Sequence, residues 1–331
     1  MLDYDPEIAR RTLEVLSELQ GKKVGIFSEE EPGIILHQER HGPIPLYYGS
    51  VDATPLYLII FGYYLEKTQD IDFAKSHWEN IKNAVNWMVQ YGDRDRDGFL
   101  EYKKQTIFGF SAKGWKDGLK NTLGIEEPTA IVEVQGYQYL ALKKTAGMAR
   151  SLGENSFADN METRAARLKK DFNDKFWMES EKYFALAIDG NGRQVKKISS
   201  NPGHLLFTGI VDKDKEKFVV DWLFQNDLWT PFGIRNHSEL EPDFDPRSYH
   251  LGSVWPHDNW IISQGLKQIG YNDEYLKIKN ALFSAYQKMG FMPEYFGVVN
   301  GHVTLDMQKI VCYPQAWSSG AMLNFLLNEN K

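Results

Sequence analysis

The sequence predicts an all-α chain built as a toroid of paired helices. Helical periodicity recurs from residue 6 to residue 327, and helices apolar nearly all round alternate with helices apolar on one side. Short and long connections alternate in step with them. A buried helix followed by a one-sided helix, repeated along the chain, is the pattern of an inner ring clothed by an outer ring rather than of a simple bundle.

Residues 6–20, PEIARRTLEVLSELQ, open with Pro6 at a helix start and place Ile8, Thr12, Val15, Leu16 and Leu19 on one stripe. Residues 51–66 are apolar on every side, as a helix surrounded by protein must be. Residues 72–90 are one-sided again, with Phe73, Ile81, Ala84, Val85 and Met88 facing inward. The alternation continues with 130–147 (buried) and 156–177, whose face is Phe157, Met161, Ala165, Leu168, Phe172 and Phe176. A weaker pair follows at 203–210 and 213–226. Residues 250–268 read as buried and 272–289 as one-sided through Leu276, Ile278, Leu282, Ala285 and Met289. Residues 313–327 are buried in character and rich in small side chains.

The count is five inner and five outer helices, starting with an outer and ending with an inner. A ring of six pairs would lack its first inner and last outer helix. Helices 6–20 and 313–327 would then border a gap, open to a second copy of the chain or to a separate N-terminal partner. Inner-to-outer connections are short, whereas the outer-to-inner ones, about 21–50, 91–129, 178–202, 227–249 and 290–312, are long. In an alternating ring these long connections open on one face, where a rigid scaffold would present a site. No Pro/Ser-rich linker divides residues 1–331, so a single domain is expected.

Composition narrows the function. The 331 residues are 42% hydrophobic, enough for a large core, and carry a net charge of −7 with no cluster of Lys and Arg, which excludes a phosphate-tracking nucleic-acid surface. One cysteine, Cys312, cannot form an internal disulfide, and MLDYDPEIARR lacks the order of a secretory signal. The expected compartment is cytoplasmic. The longest apolar run, 56–65, is half the roughly 20 residues a membrane helix needs.

Two carboxylates stand out on the long connections. Asp117, in KGWKDGLKN, adjoins Trp115 and Lys116; an indole wall raises a carboxyl pKa, as a glycosidase acid requires, while the lysine opposes it. Glu294, in GFMPEYFG, precedes Tyr295 and should reach the same mouth. An inverting hydrolase needs two carboxylates roughly 6.5–9.5 Å apart with a water between them. Asp52 heads one buried helix, and Glu133, Gln135 and Tyr137 head another, where polar groups bind sugar hydroxyls or cap neighbours. Trp255 and His257 in SVWPHDNW, with Asp258, read as an aromatic sugar platform, since no serine elbow or second clustered histidine supports a triad or metal. Gln315 and Trp317 in YPQAWSSGA could reach the same site. DRDRDGFLEY, 93–102, resembles the start of a calcium loop but has Lys104 where the bidentate glutamate belongs, so it reads as an acidic turn.

Taken in order, YGSVDATPLY (48–57), GWKDG (114–118), VEVQGY (132–137), YHLGSVWPHDN (249–259), PEYF (293–296) and YPQAWSSGA resemble the catalytic domain of the glycogen debranching, amylo-α-1,6-glucosidase family. The resemblance runs from about residue 6 to 327. It implies an (α/α)6 six-hairpin fold and an inverting α-glycosidase with Asp117 as general acid, Glu294 as general base, and Asp52, Trp115, Lys116, Glu133, Gln135, Trp255 and Trp317 in the substrate pocket. The family usually carries an upstream segment that supplies its first inner helix, which this chain is expected to lack. The implied substrate is an oligosaccharide with α-1,6-glucosyl branches, with no metal or organic cofactor. α-Mannosides or α-glucosides of small acceptors, as cleaved by mannosylglycerate hydrolases of similar fold, are the alternative. Gly118, where the family often has serine, keeps an inverting phosphorylase open, and the absent segment keeps open a non-catalytic sugar-binding remnant.

Overall fold

The computed structural model describes residues 2–116 and 124–327. Its helices are α1 (Pro6–Glu18), α2 (Ala53–Thr68), α3 (Ile71–Ser76), α4 (Trp78–Trp87), α5 (Val132–Ser151), α6 (Asn155–Lys175), α7 (His204–Thr208), α8 (Lys213–Leu223), α9 (Pro256–Gln268), α10 (Asn272–Met289) and α11 (Ala316–Leu327). Between them lie two- and three-residue strands: β1 (Gln38–Glu39), β2 (Leu46–Tyr47), β3 (Ala130–Ile131), β4 (Trp177–Met178), β5 (Tyr183–Phe184), β6 (Ala187–Ile188), β7 (Gln194–Val195), β8 (Trp229–Thr230), β9 (Gly233–Ile234), β10 (Gly297–Val299) and β11 (His302–Thr304). All pairings are antiparallel; β3, β6 and β7 form one small sheet and the rest are two-stranded ribbons on the long connections.

The chain separates into two compact units, residues 1–176 with 187–195 and residues 177–186 with 196–331. In the first, α2 packs against α1, α4 and α5, and α5 against α6. α2 and α5 are buried nearly all round, whereas α6 buries Met161, Ala165, Leu168 and Phe172 on one side, as its periodicity predicts. In the second unit α9 is central, in contact with α7, α10 and α11.

Five local expectations need correction, the first being the helix expected over 250–268, which starts only at Pro256. The buried stripe of α1 is Ala9, Leu13 and Ser17, while Ile8 and Val15 are 40% and 51% exposed. This stripe faces α2, where Ser17 Oγ and the Tyr57 hydroxyl lie 2.7 Å apart in a hydrogen bond. The 72–90 helix is two helices, interrupted at His77, whose Nδ1 lies 3.0 Å from the Phe73 carbonyl; a π-turn over Met88–Gly92 ends it. Helix α10 buries Tyr275 rather than Leu276. Helix α11 starts at Ala316 and buries only Ser318, Ala321, Met322, Asn324 and Phe325, leaving Leu326 and Leu327 exposed, so it is one-sided.

No helix among the described residues is long and apolar enough to cross a membrane.

Candidate active site

In the second unit, helix α9 cannot extend back past Pro256, so 249–255 runs as a loop that is tied to the Glu294 segment by reciprocal backbone bonds of Val254 and Phe296, 2.8 and 3.0 Å. This bridge sets Glu294 against Tyr249. The Tyr249 hydroxyl donates to Glu294 Oε1 at 3.0 Å, and Glu294 is 8% exposed. The backbone of Glu294 is held as well: its N–H donates to the Cys312 carbonyl at 3.0 Å, and Ser318 Oγ donates to its carbonyl at 3.4 Å.

Tyr249 is itself locked from behind. Its carbonyl accepts from Ser253 Oγ (2.8 Å), Trp255 Nε1 (3.0 Å) and Asn236 Nδ2 (3.4 Å). Its ring stands edge-on to Trp255 and Tyr295, with the Lys309 ammonium 4.1 Å above it. Trp255 is sandwiched between His250 and Tyr295, with centroids 5.3 and 5.0 Å away. Both Trp255 and Tyr295 are fully buried, and the Tyr295 hydroxyl donates to the Lys309 carbonyl. Burial raises the Tyr295 hydroxyl to about 12, so it stays a donor throughout the physiological range.

His257 and Trp317 stack face to face, 4.0 Å between centroids and 3° between planes. Burial drives the His257 imidazole well below its ordinary pKa, reinforced by His204, so it is a neutral slab under the indole. Trp317 is 39% exposed and offers its outer face to solvent, as a sugar platform requires; Gln315 is half-buried just before it. Asp258 turns away from this face to His204 Nε2 (2.7 Å) and Ser200 Oγ (3.1 Å) in the core.

In the first unit, Asp52 sits at the start of α2 and accepts from Ser50 Oγ at 2.5 Å. Trp115 and Lys116 are buried, with the Lys116 ammonium 5.2 Å from the Trp115 ring centroid. Glu133, on the first turn of α5, is fully buried, and Gly114 passes close to its carboxylate, since a Cβ there would lie 3.6 Å from Oε1. Tyr137 is buried one turn further along. Gln135 has a different use: its Oε1 accepts from Leu100 N–H (2.9 Å), and its Nε2 donates to the Leu100 and Ile131 carbonyls (2.8 and 3.0 Å). The amide clamps the backbone of Leu100 and Ile131. Asp117 lies outside the described residues.

The acidic turn brings carboxylate oxygens of Asp93, Asp95 and Glu101 within 4.8 Å of one another. Most of their capacity goes to the turn itself: Glu101 Oε2 accepts the amides of Arg94 and Asp95, Asp93 that of Gly98, Asp95 that of Asp97, and Asp97 Oδ2 pairs with Lys175 at 2.9 Å. Burial and then Asp95 raise Glu101 to about 7.

Sequence reasoning does not single out Tyr249, although it opens the YHLGSVWPHDN motif. A tyrosine there carries no signal of its hydrogen-bond partner, which is 45 residues away.

A mostly helical chain of the (α/α)6 class with a buried, hydroxyl-anchored carboxylate among aromatic rings fits the six-hairpin glycosidases. The chain belongs to the mannosylglycerate hydrolase MGH1-like glycoside hydrolase domain family, whose model matches residues 3–308. It is 27% identical over 166 residues to a mannosylglycerate hydrolase of Rubrobacter radiotolerans, a match covering 49% of this chain and 37% of that protein. It is also 27% identical over 96 residues to mannosylglycerate hydrolase MGH1 of Selaginella moellendorffii, covering 29% and 20% of the two chains. The chain thus aligns with well under half the length of either relative. Among solved structures, the GH63 mannosylglycerate hydrolase of Thermus thermophilus in complex with Tris superposes with a TM-score of 0.73 over 98% of this chain and 89% of that one, at 15% identity, a likeness of fold. The resemblance to glycogen debranching enzymes is therefore corrected at the family level. The carboxylate and aromatic motifs that suggested it do not by themselves distinguish the branches of this superfamily.

Proposed function

We propose that this chain is an inverting α-glycoside hydrolase, with residues 1–331 acting as one catalytic domain, that cleaves an α-mannoside or α-glucoside of a small acidic acceptor such as glycerate. The observation that carries the chemistry is the Glu294 carboxylate, held through Oε1 by Tyr249 and through its backbone at both N–H and carbonyl. A general base must present one oxygen in fixed orientation to the attacking water, and pinning Oε1 reserves Oε2 for that task. The family match over residues 3–308 supports the acceptor class in preference to glycogen branches.

In this mechanism Glu294 takes a proton from water as its oxygen bonds to the anomeric carbon, and Asp117 donates a proton to the departing glycosidic oxygen. The products are the sugar in the β-configuration and the free acceptor. Trp317, braced by His257, offers a stacking face to the sugar, and Asp52, Trp115, Lys116 and Glu133 bind its hydroxyls.

The test incubates the chain with mannosylglycerate, the corresponding glucoside and isomaltose, with and without phosphate, and follows the product anomer by NMR. Phosphate-independent release of β-mannose or β-glucose with glycerate supports the proposal. Turnover of isomaltose alone, a sugar phosphate, or binding without turnover would each overturn it.

A further inference from the structure

The long connections of the first unit carry a buried ionic cluster outside the residues assigned to substrate. Glu29 is 1% exposed and Lys113 4%, and their Oε2 and Nζ are 2.5 Å apart. Glu29 also accepts from the Tyr47 hydroxyl (3.1 Å) and from Gln105 N–H (3.2 Å). Two residues on, Glu31 accepts from Trp87 Nε1 (2.8 Å), Gln105 Nε2 (3.1 Å) and the Arg94 guanidinium (3.3 Å). Lys113 reaches back to the Lys103 carbonyl as well, at 2.5 Å. Segments 29–47, 87–105 and 113 are thereby fastened together.

Surface pairs contribute little, and buried ones are weak evidence of stability because desolvation opposes them; burial does lower the Lys113 ammonium below its ordinary pKa. Here the buried pair is held in a defined geometry by the Tyr47 hydroxyl, the Gln105 amide and the Lys103 carbonyl. Glycines admit the Glu29 carboxylate: a Cβ at Gly109 would lie 2.0 Å from its Oε1, and one at Gly49 2.4 Å from its Oε2. The output runs through the backbone, because the Lys113 carbonyl accepts from Val51 N–H at 2.9 Å, between Ser50 and Asp52. Lys113 is also two residues before Trp115 and four before Asp117.

We propose that the Glu29–Lys113 pair is a positioning device that sets the Gly114–Lys116 segment against Asp52 and so aims the acid-bearing connection. The link to catalysis rests on the proposed role of Asp117, while the link to geometry does not.

The test compares wild type with Glu29→Gln, Lys113→Met and the double variant by hydrogen exchange over residues 103–116, thermal midpoint, and kcat and KM on mannosylglycerate. Each single variant leaves one buried group without its counter-charge, so its midpoint falls; the double removes both charges and recovers much of it. Exchange over 103–116 should rise in all three variants while α5 and α6 are unchanged. The kcat should drop about 10- to 100-fold in all three, with KM within about twofold. A double variant that regains kcat together with its midpoint would reduce the pair to a structural role and overturn the proposal, as would wild-type exchange over 103–116. If a single variant fails to fold, the double carries the same comparison. A wild-type chain that turns over no substrate defeats the hydrolase reading, and the exchange measurement still decides whether the pair sets the segment.

Discussion

The Tyr249 hydroxyl donates a 3.0 Å hydrogen bond to Glu294 Oε1, and three donors hold the Tyr249 carbonyl from behind. Tyr249→Phe keeps the ring contacts with Trp255 and Tyr295 and removes only the bond to the carboxylate. The expected result is a kcat lower by about 10- to 100-fold with KM within about twofold, measured by steady-state kinetics. An unchanged kcat would show that the base needs no such anchor.

Glu294→Gln and Asp117→Asn should each abolish measurable turnover, a loss of about 1,000-fold or more, because one removes the water's proton acceptor and the other the proton for the leaving group. Far-UV circular dichroism and the thermal midpoint should stay near wild type. Full activity in either variant would remove that residue from the mechanism.

Trp317 and Gln135 separate a pocket face from a scaffold clamp. Trp317→Ala should raise KM about 10-fold by deleting an exposed stacking surface, with little change in the thermal midpoint. Gln135→Ala orphans the Leu100 N–H and carbonyl in the core and should destabilise the fold by about 2–3 kcal/mol in urea titrations. The reverse pattern, a stable Gln135→Ala with raised KM, would return Gln135 to the pocket.

Glu101 supplies a pH test. Its folded pKa, raised to about 7, lies above the unfolded value near 4.3, so the folded state holds the proton more tightly. Stability from this group is complete below about pH 4 and is lost as pH rises from there to about 7. Glu101→Gln retains an acceptor for the Arg94 and Asp95 amides and cannot ionise. It should be more stable than wild type by about 1–3 kcal/mol at pH 8, with the difference shrinking toward pH 5, as read by denaturant titration at both values.

The helices are legible because burial imprints a period of 3.6 on local sequence: α2, α5 and α6 lie within four residues of where their patterns put them, whereas α9 starts at Pro256 rather than at 250. The same logic fails for α1. Its stripe could be Ile8, Val15 and Leu19 or Ala9, Leu13 and Ser17, and the hydrogen bond between Ser17 and Tyr57, 40 residues away, decides for the smaller set. Glu294 stands out as a candidate because a carboxylate between Pro293 and Tyr295 on a long connection is unusual. The bonds of Gln135 to the Leu100 and Ile131 backbone are not legible, because a polar residue heading a buried helix looks alike whatever it faces.

By itself, the sequence determined the all-α alternation, the long connections, and the acid and base candidates, since each is written in local pattern or residue chemistry. Tertiary structure alone decided that Tyr249 holds Glu294, that Trp255 and Tyr295 are buried while Trp317 is partly exposed, and that Glu29 meets Lys113 across 84 positions. Those relations depend on which segments the packed helices bring within hydrogen-bond distance, and a one-dimensional pattern carries no record of that.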